Sequence, residues 1–380
     1  MSPAAAALPA VSYAIPRRIA QGEETEAEAY PLHLGDTWRT PPPGCRMEDL
    51  AAADHPGLYR YAPPQGLPAL VDALLERLRT EAGVPVQRKN LLVTAGATGG
   101  FAAVLGALLS PGEELLLLAP HWPLAAGLAR AFGAVPVQVP FHGEVRSADE
   151  AVARVAGRLT PRTAALYLSS PNNPTGEVLP RAWVEALVDW ARREGLWVLS
   201  DEVFRDFIYE GEEPPCAFAL APERAFSFRS FSKAYGMAGN RCGWVAGPLH
   251  PLGEALKMST QLVYSAPTAA QRAALAALQG PGEAWIAEAR RQYAETGRRV
   301  AARLGVPAPQ GGTFLFLDLA EALGGDDLAA FLRRCAARGL LLAPGPSFGP
   351  YPNHVRLCFS AAPPETVERG ADLLAGMLGR

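Results

Sequence analysis

The sequence predicts an α/β fold: a mainly parallel sheet covered by helices on both faces, followed by a smaller α+β unit. Three observations carry this. At 380 residues the chain is long enough for one large and one smaller domain. Short apolar runs alternate with helical stretches through its middle. After "RCGWVAG" at 241–247 that alternation gives way to a long helical region and then a shorter strand–helix pattern.

The elements follow in order. "LLVTA" (91–95) reads as a buried strand and "FAAVLGALL" (101–109) as a helix ended by "SPGEE". "LLLLAP" (115–120) is a strand, 122–132 a helix, and "VPVQVP" (135–140) a strand. "SADEAVARVAGRL" opens on Ser147 as N-cap with Glu150 three residues on, the spacing of a capping box. "AALYLSS" (164–170) is a strand, 181–195 a helix, and "LWVLSDEVF" (196–204) a strand. A helix from about Pro281 to Leu304 precedes "TFLFLDL" (313–319), a helix at 326–338, "LLLAPG" (340–345), "HVRLCFS" (354–360) and a last helix.

Bulk composition excludes several classes. Net charge is −3 with no basic block, so no nucleic-acid footprint is expected. The longest apolar stretch, "LLVTAGATGGFAAVLGALL", carries four glycines and reads as strand–loop–helix, not a membrane span. Five scattered cysteines make no CxxC pair, and six histidines show no ligand spacing; His121 is therefore not read as a metal ligand. The alanine-rich start has no basic region ahead of its apolar run, so it reads as a flexible arm and the protein as cytoplasmic.

In α/β sheets ligands sit beyond the carboxyl ends of the strands. "GATGG", "PHW", "SSPNNPTG", "SDEVF" and "SFSK" all follow predicted strands. The last contains Lys233, one of only three lysines among 35 Lys and Arg residues. An amine forms a Schiff base with an aldehyde and then acts as acid or base; a guanidinium does neither at accessible pH.

"SFSKAYGMAGNRCGW" resembles the S-x-S-K…R-x-G-W/Y signature of the class I/II aminotransferases, the fold-type I pyridoxal-phosphate enzymes. "SSPNNPTGEV" and "LSDEVFRDFIYEG" resemble their Asn-Pro-x-Gly and Asp-Glu-x-Tyr motifs, with Asp201 lying 28 positions after Asn173 and 32 before Lys233. "YAPPQGLPAL", "PGPSFG" and "VRLCFS" follow in family order. The resemblance implies a large domain with a mostly parallel sheet of the seven-stranded type between helices. Residues 1–45 would form an N-terminal arm and part of the small domain, 46–280 the large cofactor-binding domain, and 281–380 the small domain.

It also implies roles. Lys233 would hold pyridoxal 5′-phosphate through a Schiff base and then shuttle the proton. Asp201 would pair with the pyridine nitrogen and keep it protonated. Asn173 would bond the phenolic oxygen, and Trp122 would stack on the ring. Ala97 and Thr98 in "GATGG", with Ser230, Ser232 and Arg241, would bind the phosphate. Tyr61 would reach it from the neighbouring subunit of a homodimer. Arg356 would hold the substrate α-carboxylate, beside Gly35 and Asn173.

One position departs from the pattern. The third residue after the cofactor aspartate is usually a tyrosine; here it is Phe204, and Tyr209 lies too far along to replace it. Without that hydroxyl, Asn173 is the sole expected partner of the phenolic oxygen, and the Schiff base should have a raised pKa. A Phe204→Tyr variant is expected to lower it by about one unit in a spectrophotometric titration; an unchanged or higher value would sink the idea.

Transamination is the leading reading; β-elimination at a C–S bond, decarboxylation or histidinol-phosphate-type transamination on the same cofactor remain alternatives. A nicotinamide dehydrogenase would need a GxGxxG with a downstream acid, and would leave Lys233 unexplained. A non-catalytic regulator would need a DNA-binding segment. For the donor side chain, Tyr13, Ile15 and Trp38 suggest an apolar or aromatic wall, while Arg17, Arg18 and Arg39 are the cations a second carboxylate would need.

Overall fold

The computed structural model describes residues 5, 6, 8 and 29–379. The expectations for Tyr13, Ile15, Arg17 and Arg18 fall outside these residues.

Twelve strands are formed among the described residues. They are β1 (Tyr30–Pro31), β2 (Leu91–Thr94), β3 (Glu114–Ala119), β4 (Val135–Pro140), β5 (Thr163–Ser169), β6 (Trp197–Asp201), β7 (Ala225–Ser230), β8 (Gly243–Ala246), β9 (Phe314–Asp318), β10 (Leu340–Leu341), β11 (Ala343–Pro344) and β12 (His354–Cys358). Seven make the central sheet in the order β2-β8-β7-β6-β5-β3-β4, and β8 alone runs against the others. All six residues of β3 are buried, as expected of a strand covered on both faces. One apolar cluster on the sheet gathers Phe101, Tyr167 and Phe228; another gathers Leu116, Leu166 and Val198.

A second unit lies beyond. β11, β12 and β9 form an antiparallel sheet, with Arg356 opposite Phe316 and Ala343. β1 pairs with β10, and the chain after it stays beside β12: Cys358 donates its N–H to Leu32 O and Trp38 its own to Ser360 O. Residues 30–38 are thereby laid across the C-terminal sheet. Among the described residues no helix is long and apolar enough to cross a membrane.

The element order expected from sequence is present, with five differences. The helix placed at 101–109 begins at Gly96, so "GATGG" forms its first turn and not a preceding loop. The strand placed at 196–204 stops at Asp201, because the Asp201 carboxylate accepts the Val203 N–H at 3.1 Å and turns the chain out of the sheet. "LLLAPG" divides between two sheets as β10 and β11. Helices Pro68–Ala82, Leu249–Val263 and Thr268–Gln279 were not anticipated; their N-caps are Leu67, Pro248 and Pro267, which offer no side-chain capping bond to read. At the expected capping box, Ser147 Oγ accepts from Glu150 N, but Glu150 reaches back one residue further, to Arg146 N.

Candidate active site

Every cofactor and carboxylate residue that the resemblance implies, except Tyr61, lines one pocket of about 320 Å³ at the carboxyl ends of the central strands. Asp201 ends β6, level with Ser169 of β5 and Phe228 of β7. Its Oδ1 accepts from Val203 N and its Oδ2 from the Tyr167 hydroxyl at 2.8 Å. Withdrawal from water raises its pKa to about 6. Among the described residues no cation pairs with it.

The next residue, Glu202, points to the opposite side of the turn. It accepts from Ser227 Oγ at 2.6 Å and Arg229 Nε at 3.0 Å, and Arg229 also meets Glu81. Arg229 and Glu202 are 6% and 4% exposed, so each neutralises a buried charge that would otherwise be costly. That network pins the end of β6 to β7 and fixes where Asp201 projects.

Lys233 lies on the short helix Phe231–Ala234 that follows β7, with Ser230 Oγ capping Ser232 N. Its side chain is 19% exposed; the amine donates to Gly35 O and lies 3.9 Å from Asp36 Oδ1. Burial lowers its pKa, and Asp36 opposes that shift.

An anion cradle sits beside it. Ala97 and Thr98 are in the first turn of Gly96–Leu108, where free N–H groups gather. Ser230 and Ser232 hydroxyls lie 2.8 Å apart, and Arg241 Nη1 is 3.5 Å from Ser232 Oγ. Gly96 is needed here: a Cβ on it would come within 2.5 Å of Arg241 Nη2, and its φ is +70°.

Across the pocket, Arg356 is 1% exposed. It donates to Asn173 Oδ1 at 2.8 Å and to His33 O at 2.7 Å, and its guanidinium lies over the rings of Phe314 and Phe348. A Cβ on Gly35 would approach Phe314 Cζ to 2.9 Å and Arg356 Nη1 to 3.8 Å, so the absence of a side chain keeps the guanidinium face open. Phe204 lies in the pocket edge-to-face on Phe314, ring centroids 5.2 Å apart. Tyr209 instead gives its hydroxyl to Gly312 O, away from the pocket.

The profile of the aminotransferase class I and II family matches residues 33–374. The chain belongs to that family. The aspartate/prephenate aminotransferase of Thermus thermophilus is 34% identical over 336 residues, 85% of this chain and 84% of that one. The arginine–pyruvate transaminase of Pseudomonas aeruginosa is 33% identical over 358 residues, 91% and 88% of the two chains. The structure of Thermus thermophilus aspartate aminotransferase with maleate superposes with a TM-score of 0.89 at 28% identity, covering 99% of both chains. The protein is thus an α/β aminotransferase, and transfer of an amino group is favoured over the elimination and decarboxylation that the sequence left open.

Several residues of this aminotransferase are not where the sequence pointed. Trp38 and Arg39 do not line the pocket: Trp38 is 40% exposed, and Arg39 bonds Gln292 and lies over Trp285. Leu34, Asp36 and Leu124 line it instead. Tyr61, by contrast, which the resemblance assigns to a neighbouring subunit's site and not to this pocket, is 83% exposed and packs on Tyr264 at 4.8 Å. Tyr167 was read only as part of an apolar strand; its signal was one polar aromatic two positions before the strand's end.

Proposed function

We propose that the pocket holds pyridoxal 5′-phosphate and that the enzyme moves an α-amino group between an L-amino acid and a 2-oxo acid in two half-reactions. One observation carries this reading: a single pocket presents an amine of lowered basicity, a carboxylate that no cation among the described residues pairs with, and an anion cradle. The residues fit the group. Asp201 has room for a protonated ring nitrogen as partner, and the helix turn at Ala97–Thr98, with Ser230, Ser232 and Arg241, suits a phosphate. Trp122 at the pocket wall suits the ring face, and the Asn173 amide the phenolic oxygen. Asp201 and Lys233 are the catalytic pair.

When bound, the cofactor supplies the carbonyl that takes up nitrogen and the ring that accepts the electrons released at Cα. Lys233, with its basicity lowered by burial, would take the proton from the substrate Cα and pass it to the carbon that was the cofactor's carbonyl. Arg356 grips the α-carboxylate through its planar fork, and Gly35 lets that group approach. Relatives named for aspartate, prephenate and arginine are all named for compounds that carry a carboxylate, the group Arg356 is shaped to hold.

The apolar surface around Tyr61, with Leu262, Val263 and Tyr264 40–50% exposed in round figures, supports a homodimer in which Tyr61 reaches the partner's cradle. All five cysteines are free, which supports a cytoplasmic location.

After reconstitution, an amino donor alone should convert the bound cofactor to pyridoxamine phosphate with release of one 2-oxo acid. Ammonia release in its place would overturn the reading. Sedimentation should give a dimer, and a fully cofactor-loaded monomer would remove the proposed role of Tyr61.

A further inference from the structure

We infer that Tyr167 is a positioning residue for Asp201: its hydroxyl fixes the carboxylate at the pocket floor and, through it, the protonation of the ring nitrogen. The inference rests on the cofactor reading above.

Tyr167 sits in β5 among alanines and leucines and is 1% exposed. Its strand neighbour across β6 is Leu199, two residues before Asp201, so the ring extends along the sheet to bring Oη within 2.8 Å of Oδ2. The ring cannot swing away. Phe101 meets it edge-to-face at 5.4 Å, and Phe101 is itself held against Phe228 at 5.2 Å and Trp122 at 6.3 Å. A phenylalanine would fill this apolar site as well, and an unpartnered hydroxyl there would be costly. The hydroxyl therefore has polar partners: Ser169 lies within its reach, and Asp201 is the acceptor to which it donates.

With Val203 N on Oδ1 and Tyr167 Oη on Oδ2, each carboxylate oxygen accepts one fixed donor. This sets the plane of the group and favours its ionised form. Burial and the Asp201 charge raise the Tyr167 pKa well above 10, so the phenol stays a donor throughout the working range. The other charges facing Asp201 are Glu202 beside it, already paired with Arg229, and Asp36, Lys233, Arg241 and Arg356 around the pocket. Position 204 carries no hydroxyl, while position 167 does. Polar control in this pocket is thus placed on the nitrogen side of the ring.

The test uses Tyr167→Phe, Asp201→Asn and the double variant, with two readouts: cofactor affinity of the apoprotein by equilibrium dialysis, and the pH profile of kcat. Losing one hydrogen bond to a carboxylate moves its titration by about one pH unit, or tenfold in equilibrium terms. Tyr167→Phe is expected to shift the acid limb of kcat upward by about one unit and to weaken cofactor binding about tenfold. KM for the amino donor should stay within about twofold. In the Asp201→Asn background, Tyr167→Phe should change neither readout, because the hydroxyl acts through the carboxylate. If Asp201→Asn alters both readouts and Tyr167→Phe alters neither, the positioning role is overturned and the cofactor reading stands. If neither variant alters them, both fall. Should Tyr167→Phe fail to fold, Phe101→Leu loosens the clamp and keeps the hydroxyl; a smaller shift in the same direction supports the role, and no shift overturns it.

Discussion

Lys233→Ala is expected to lose amino transfer by at least about four orders of magnitude, since both the covalent tether and the proton shuttle disappear together. Lys233→Arg should fare no better. It keeps a cation near Asp36, but a guanidinium neither forms the carbon–nitrogen double bond nor releases a proton near neutral pH. Fold stability should change little in either variant. The native amine is largely withdrawn from water, and among the described residues it meets the Gly35 carbonyl and the Asp36 carboxylate, the latter at 3.9 Å. The measurement is single-turnover conversion of the loaded enzyme by excess amino donor, with borohydride reduction followed by mass analysis. Wild type should retain the cofactor mass on the peptide containing residue 233, and both variants should not. A Lys233→Ala enzyme within about tenfold of wild type would remove Lys233 from the chemistry.

Much of this site is legible in the sequence because its groups stand at strand ends. An apolar run marks the strand, the first polar residues after it mark the edge, and a parallel sheet brings the edges together. The stretches that hold Lys233, Asp201, Asn173 and "GATGG" are marked this way, and the resemblance to the family assigns the roles within them. What the sequence withholds is set by register and long-range contact. Arg356 and Asn173 are 183 positions apart, yet they meet at 2.8 Å because β12 and the loop after β5 close over one pocket. Leu34 and Asp36 enter it because β1 pairs with β10, a contact of only two residues with no periodic signature. Tyr167 reads as core, and only its register against β6 brings its hydroxyl to a carboxylate. Trp38 failed as a wall residue for the reverse reason: two positions past Asp36, it turns out to solvent.

Asp201→Asn is the second large effect, and its sign differs between loaded and empty protein. In the loaded enzyme the amide cannot hold a proton on the ring nitrogen, and transfer should fall by about 10²–10³-fold, the scale of losing one preorganised electrostatic partner. In the apoprotein the same change should stabilise. Asp201 titrates at about 6 in the fold against an ordinary value of 3.8. A carboxyl raised in this direction contributes its full stability below about 3.8 and loses it as pH rises through 6, because the folded state must then carry a poorly solvated charge. At pH 8 that cost is about 1–3 kcal/mol, the lower figure allowing for water in the open pocket. Asparagine avoids it. Its Oδ1 still accepts from Val203 N, and its amide N–H group can donate to the Tyr167 oxygen. Denaturant unfolding of the two apoproteins should therefore show the variant more stable at pH 8, with the gap roughly halved near pH 5. Adding cofactor should favour wild type, since binding to the folded state alone repays the buried charge by mass action. A gap that is absent at pH 8, or that grows toward pH 5, would mean that the carboxylate is solvated in the empty pocket. Asp201 thus costs the empty fold stability, a cost offset only once a cation sits opposite the carboxylate, as expected of a group retained for chemistry and not for folding.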